Sequence, residues 1–162
     1  MSIICHYGYG YSWKLCEDAA SWFMNQYFPR HKITVDIVHR DLKEDYVRGY
    51  CDVVGDGYRP RHFLIELDTY MTEEWYIKTL FHELTHLAQW IRGELRHRYG
   101  KLCYCKTPVE NWDYWVQPHE IEAREEEVRL YDLYLIDKPG VPPNQTGHYF
   151  PNRLVAPVYW PC

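Results

Sequence analysis

The feature that most constrains this chain is a run of apolar residues at helical spacing between Thr72 and Leu95. Thr72 is a suitable N-cap, and the two glutamates that follow it favour the positive end of a helix dipole. The apolar positions are Ile77, Leu80, Phe81, Leu84, Leu87, Ala88 and Ile91. The pattern predicts a long, largely buried helix, hereafter the motif helix, in which Gly93 loosens only the final turn.

The middle of this helix carries the sequence His82-Glu83-Leu84-Thr85-His86. Four residues of an α-helix turn through about 400°, so His82 and His86 project from nearly the same face and can bind one metal ion. Glu83 lies on the adjacent shoulder, where its carboxylate can take a proton from a metal-bound water and pass it to a departing amine. A purely structural helix would bury these polar groups without partners. The spacing therefore predicts the H-E-x-x-H arrangement of zinc peptidases, with Glu83 as general base.

Two further helices can be predicted. Helical spacing over residues 13–28, closed by Pro29, indicates an amphipathic N-terminal helix. Pro118 sits at a favoured helix start, and no breaker follows it until about Ile136. Residues 96–117 lack a sustained period and are expected to be irregular, apart from a short strand near 102–105.

Half-buried strands are indicated by a two-residue alternation of apolar side chains in residues 33–38 and 63–68, and a further short strand is predicted over residues 50–54. Together with the helices they predict an α+β fold over residues 1–136. A small twisted sheet would pack against the N-terminal helix and the motif helix. We expect the Phe63 to Leu67 strand to border the cleft, where an extended peptide could pair with it, the alternative being an ordinary internal strand.

Residues 137–162 are predicted to form an extended tail that packs on the domain. The segment contains six prolines, which exclude a regular helix, yet it is too apolar to stay fully solvated. Two arrangements remain open: the tail covers the sheet or the motif helix, or it lies over the cleft and limits access to it.

Charge and composition exclude several classes of function. A net charge of −5 without a concentrated basic patch argues against nucleic-acid binding. No stretch approaches the roughly 20 apolar residues of a membrane span. The N-terminus lacks the pattern of a secretory signal, so we expect a cytoplasmic protein whose six cysteines are reduced thiols. The expected partner is a peptide or protein substrate.

A catalytic zinc ion usually has three protein ligands, so a third must lie elsewhere in the chain. The metzincin pattern is excluded because Gln89 and Arg92 stand where it needs glycine and histidine. One candidate is His97. The arrangement of Trp90 and His97 after His86 loosely resembles the SprT-like metalloproteases, which use a histidine as third ligand.

The other candidate lies at the start of the helix predicted to begin at Pro118, in the stretch from Gln117 to Arg124. Its Glu120-x-x-Ala123 sequence resembles the third-ligand helix of gluzincins, particularly the small minigluzincins, and the two motifs cover about the middle third of the chain. The resemblance implies a zincin-like fold in which Glu120 completes the zinc site and Ala123 lets the two helices approach. Glu122 is the register-shifted alternative. Arg124 departs from the family, which often places there a carboxylate or amide that orients a ligand histidine.

The sequence thus predicts a zinc metallopeptidase with His82, His86 and Glu120 as ligands. An oxyanion-stabilising side chain is also expected, and the chain offers several candidates without favouring one: Tyr99, Tyr114, His119 and His148. The alternative function is a zinc-containing binding or assembly protein that does not hydrolyse peptides.

Overall fold

A computed structural model of the protein describes residues 1–138. The candidate His148 and the predicted tail beyond Lys138 lie outside the described residues. Over the described range the chain is α+β, as predicted, with three α-helices and two sheets. None of the helices in this range is long and apolar enough to cross a membrane.

The larger sheet has four strands in the order β1-β2-β4-β3. Their bounds are β1 Ile3–Gly8, β2 Thr34–Arg40, β3 Gly49–Val53 and β4 His62–Asp68. Strands β1, β2 and β4 are parallel, whereas β3 runs antiparallel to β4 at the edge. The alternation in β2 and β4 is confirmed, since every second side chain is buried against the helices. Strand β1 was not predicted.

The position of β4 corrects the expectation that the Phe63 to Leu67 strand borders the cleft. This strand lies inside the sheet, with β2 on one side and β3 on the other. The described part of the sheet has two edge strands, β1 and β3, and β3, which begins at Gly49, is the one that lines the cavity described below. It is β3, therefore, that can lie along an open site.

The three helices are α1 Trp13–Tyr27, α2 Glu73–Arg92 and α3 Pro118–Asp137. Helix α2 is the motif helix, and the Thr72 hydroxyl caps it by accepting a hydrogen bond from the Trp75 N–H at 3.4 Å. The helix ends at Arg92, not at Leu95 as predicted. Gly93 adopts the left-handed conformation, with φ of 84°, and turns the chain out of the helix.

Helix α2 is buried on nearly all sides because it packs against α1, α3 and the sheet. Aromatic rings fill the space between the three helices. The ring of Phe81 lies 5.4 Å from that of Trp22 and 5.7 Å from that of Tyr134, in tilted and edge-on arrangements that aromatic pairs prefer. The apolar majority of α2 thus supports the few polar groups in its middle.

A three-stranded sheet follows α2 in a region predicted to be mostly irregular. It consists of β5 Leu95–Arg98, β6 Lys101–Tyr104 and β7 Thr107–Pro108. The short strand predicted near 102–105 is confirmed as β6. The expected free thiols are found at Cys5, Cys16, Cys51 and Cys103. Cys105 is disulfide-bonded, so the expectation of reduced thiols is wrong for this residue.

Candidate metal centre

His82, His86 and Glu120 converge between α2 and α3. Each offers one ligand atom, and these three atoms lie within 4.8 Å of one another. The two Nε2 atoms are 3.2 Å apart. The Glu120 oxygens lie 3.3 Å from Nε2 of His82 and 3.3 Å from Nε2 of His86. The structure therefore brings together the three residues that the sequence singled out as ligands.

Local sequence explains why Glu120 reaches this point. Pro118 occupies the first position of α3, so Glu120 falls in the first turn of the helix. Ala123, one turn along, is fully buried and is small enough for α3 to pack closely on α2. A larger side chain at this position would push the two helices apart.

The outward nitrogen of each imidazole has a partner of its own. Nδ1 of His82 donates a hydrogen bond to the Glu127 carboxylate at 2.9 Å. Nδ1 of His86 donates to the side-chain oxygen of Gln89 at 2.9 Å. The Gln89 amide nitrogen donates in turn to the Glu122 carboxylate at 2.8 Å, which orients the Gln89 oxygen towards His86.

These partners determine the protonation of the rings. Because both Nδ1 atoms donate, each neutral imidazole carries its lone pair on Nε2, the atom that faces the other ring and Glu120. Two lone pairs and a carboxylate meeting at this spacing repel one another unless a positive charge lies among them. Two imidazole nitrogens and one carboxylate oxygen are donors that Zn²⁺ prefers, so the residues fit this ion.

The pKa values report the same accumulation of negative charge. Burial lowers the pKa of His82, but the Glu120 and Glu127 carboxylates outweigh it and raise the value to about 9. Burial raises the pKa of Glu120, yet its hydrogen bonds to the two imidazoles bring the pKa well below the usual range. In the metal-free protein, a proton therefore supplies the positive charge at the centre.

Glu83 lies beside His82 and His86 and is almost fully buried. Burial raises the pKa of its carboxyl group, an effect that the positive charges of His86 and His82 partly offset. Its side chain contacts the first residue of β3. A Cβ atom built on Gly49 would lie 2.7 Å from Oε1 of Glu83 and 3.0 Å from its Cγ, so only glycine leaves room for the carboxylate.

The three candidate ligands and Glu83 line a cavity of about 880 Å³. Strand β3 forms one wall, and α3 with the preceding turn at residues 114–116 forms another. Trp90, Leu95 and Leu102 line the wall next to the three-stranded sheet. A cavity of this size can take a peptide segment or a ligand of similar bulk.

Two alternative ligands do not join the cluster. His97 lines the cavity, but it lies outside the group of convergent donors, and its ring packs on Trp90 at 5.4 Å. Glu122 accepts hydrogen bonds from Gln89 and, at 2.8 Å, from the Tyr104 hydroxyl. Its role is to hold Gln89.

The candidate oxyanion stabilisers differ in whether they line the cavity. Tyr99 is fully exposed on the turn between β5 and β6, away from the cavity, whereas Tyr114 and His119 line it. His119 is 4% exposed, and its Nδ1 atom has no hydrogen-bond partner. Burial lowers the pKa of His119 to about 4. The ring is therefore neutral at physiological pH.

Gln89 and Glu127, the partners of the two histidines, were missed by sequence reasoning. One signal was available: Glu127 lies seven residues, or about two turns, after Glu120, and so on the same face of α3.

Comparison of the chain with protein-family models, curated proteins and solved structures found no match. The functional argument therefore rests on the site itself.

Proposed function

We propose that the protein is a zinc-dependent metallopeptidase with a zincin-like site of the gluzincin type. The observation that carries the proposal is the meeting of two Nε2 lone pairs with the Glu120 carboxylate, each imidazole being held through Nδ1. His82, His86 and Glu120 would hold the ion. Bound zinc supplies Lewis-acid chemistry, which polarises a carbonyl group and lowers the pKa of water.

Glu83 would act as general base and then as general acid. It adjoins the ligand histidines, faces the cavity and is shielded from bulk water. A carboxylate in this place can take a proton from the attacking water and deliver it to the leaving amine. Gly49 supports this role, because the absence of a side chain there leaves the carboxylate its position.

A peptide substrate is favoured by the edge of β3. This strand runs along the cavity, pairs with β4 on one side, and has no partner on the other side among the described residues. An extended peptide can add to such an edge through main-chain hydrogen bonds. The edge would then hold the peptide bond over the ligand cluster.

The test combines metal content with turnover. We expect purified protein to contain about one zinc per chain, removable by a chelator, and to cleave peptides only when loaded. Glu83→Gln should keep the zinc and lose hydrolysis, since it removes the base and no ligand. A zinc-loaded wild type that binds peptides without cleaving any of a broad peptide library would identify a binding protein instead.

The third ligand can be tested separately. Glu120→Ala should weaken zinc binding strongly, whereas His97→Ala should leave it unchanged because His97 lies outside the cluster. Glu122→Ala should weaken it mildly, through the loss of support for Gln89. Release of zinc by His97→Ala alone would favour the SprT-like ligand set.

A further inference from the structure

Arg124 is a cation in the cavity that the proposed chemistry does not use. It lies one turn of α3 after Glu120, so that both residues face the cavity. Its guanidinium group stands over the rings of Tyr114 and Trp115, at 5.4 and 5.2 Å from their centroids. Nη2 donates a hydrogen bond to the Trp115 carbonyl oxygen at 2.8 Å. The side chain is therefore held in place by uncharged groups.

The charge of Arg124 is not neutralised within the described part of the chain. Arg40 and Arg129 form ion pairs with carboxylates at 2.8 and 2.5 Å, but Arg124 has no carboxylate of residues 1–138 within 4.0 Å. Its Nη1 atom is buried and has no hydrogen-bond partner. The lack of an ion pair among the described residues contrasts with the sequence of α3, where three consecutive glutamates follow Arg124 directly. An arginine that is held in place and has no carboxylate partner retains its capacity to bind one.

Tyr114 relates this cation to the ligand cluster. The Tyr114 ring lies beside the guanidinium and lines the same cavity as Glu120, which precedes Arg124 by one turn of α3. The guanidinium therefore lies next to the Glu120 side of the centre. A single ligand could therefore place one group at Arg124 and another over the cluster of His82, His86 and Glu120.

We propose that Arg124 is a specificity-determining residue, which binds a carboxylate of the substrate near the scissile bond. This inference rests on the proposed peptidase function. A planar guanidinium matches a carboxylate through two parallel hydrogen bonds, and the stacked rings reduce the entropy lost when they form. The carboxylate is either the C-terminus of a peptide or an acidic side chain within it.

The experiment uses zinc-loaded protein and quenched fluorescent peptides in matched pairs. One pair differs only in Glu or Gln at each position near the cleaved bond, and a second pair only in a C-terminal carboxylate or carboxamide. We expect wild-type kcat/KM to be about tenfold higher for the carboxylate member of one pair, the size of one charge-assisted contact. The pair that shows the effect identifies the source of the carboxylate.

Variants then assign the preference to Arg124. Arg124→Gln should abolish the preference while retaining cleavage of the neutral peptides, which also shows that the variant is folded. Arg124→Lys should keep part of it, and Arg124→Glu should reverse it in favour of a matched lysine peptide. Arg98→Gln is the control, since Arg98 is exposed on the second sheet and does not line the cavity.

The outcomes separate this inference from the function on which it rests. Equal cleavage of both members of every pair by wild type and Arg124→Gln overturns the role of Arg124 and leaves the peptidase intact. Absence of any cleavage by zinc-loaded wild type overturns both the proposed peptidase function and the proposed role of Arg124 in cleavage. Titration of the same peptides against Glu83→Gln provides a second readout, in which the carboxylate preference must reappear as tighter binding.

Discussion

At the residue scale, the two histidines of the proposed zinc site are held by partners of different charge. Glu127 places a carboxylate on Nδ1 of His82, whereas Gln89 places a neutral amide on Nδ1 of His86. A carboxylate makes the ring that donates to it a stronger metal ligand than an amide does. His82 is therefore expected to be the stronger of the two nitrogen ligands.

The first prediction follows from this difference. Glu127→Gln preserves the shape of the side chain and removes its charge, so we expect zinc affinity to fall about tenfold or more, with the fold unchanged. Competition with a chromophoric chelator measures the affinity. Glu125→Gln is the matched control, because Glu125 is exposed on the same helix. Equal affinities in the two variants would contradict the assigned role of Glu127.

Sequence alone predicted the residues that now converge, but not the residues that hold them. His82, Glu83 and His86 lie within one turn of a helix, so their spacing alone placed them together. Glu120 was identified by resemblance to a family motif. Glu127 reaches His82 only because α3 lies along α2. Helical periodicity predicts which face of its own helix a residue occupies, but it does not predict which other helix packs against that face.

At the element scale, the contact between β3 and α2 gives a second prediction. In Gly49→Ala the new methyl group would lie 2.7 Å from Glu83 Oε1, and the buried carboxylate has little room to move away. We expect kcat to fall about tenfold or more while zinc content stays the same. Gly57→Ala is a suitable control, since a Cβ there meets nothing within 4 Å. Unchanged kcat in Gly49→Ala would show that Glu83 tolerates displacement.

Strand β2 carries a histidine that makes stability depend on pH. His39 is buried, donates from Nδ1 to the Tyr7 carbonyl at 2.9 Å, and has Nε2 at 2.7 Å from the Tyr76 hydroxyl. Burial lowers its pKa below the ordinary 6.5, and neighbouring His6 adds to the effect. The Tyr11 ring stacks on the imidazole at 3.4 Å.

The third prediction works out the sign of this effect. The unfolded chain binds a proton near pH 6.5, whereas folded His39 does so only at lower pH. Its contribution to stability is therefore complete above about pH 6.5 and is lost as the pH falls through the folded pKa. Urea unfolding of zinc-loaded protein between pH 5 and 8 should show a shallower acid slope for His39→Gln than for wild type. Identical slopes would contradict the assignment.

The elements that sequence missed have separate physical causes. Strand β1 carries an exposed Ile3, so its alternation is weak, and β5 was absorbed into the motif helix because the stop at Gly93 was underestimated. The order of strands could not be predicted, since side-chain alternation is the same in an interior strand such as β4 and in an edge strand. This is why the wrong strand was expected beside the cleft.

At the scale of the whole molecule, the proposed zinc would join α2 to α3 and so stabilise the fold. We expect zinc at about 100 times its dissociation constant to add roughly 2.7 kcal/mol and to raise the melting temperature by about 5–10 °C. Differential scanning calorimetry with and without chelator measures the shift. Glu120→Ala should show much less of it, and an equal shift in this variant would place the bound metal elsewhere.

The distance along the chain between the centre's parts bears on how the protein is made. Glu120 follows His82 by 38 residues, and Glu127 follows it by 45. A ribosome that adds about 5–20 residues per second needs roughly 2–8 seconds to cover the first interval. Throughout that time the nascent chain contains His82 and His86 but not yet Glu120. If the protein is the proposed zinc peptidase, tight zinc binding and peptide cleavage must therefore wait until translation has passed α3.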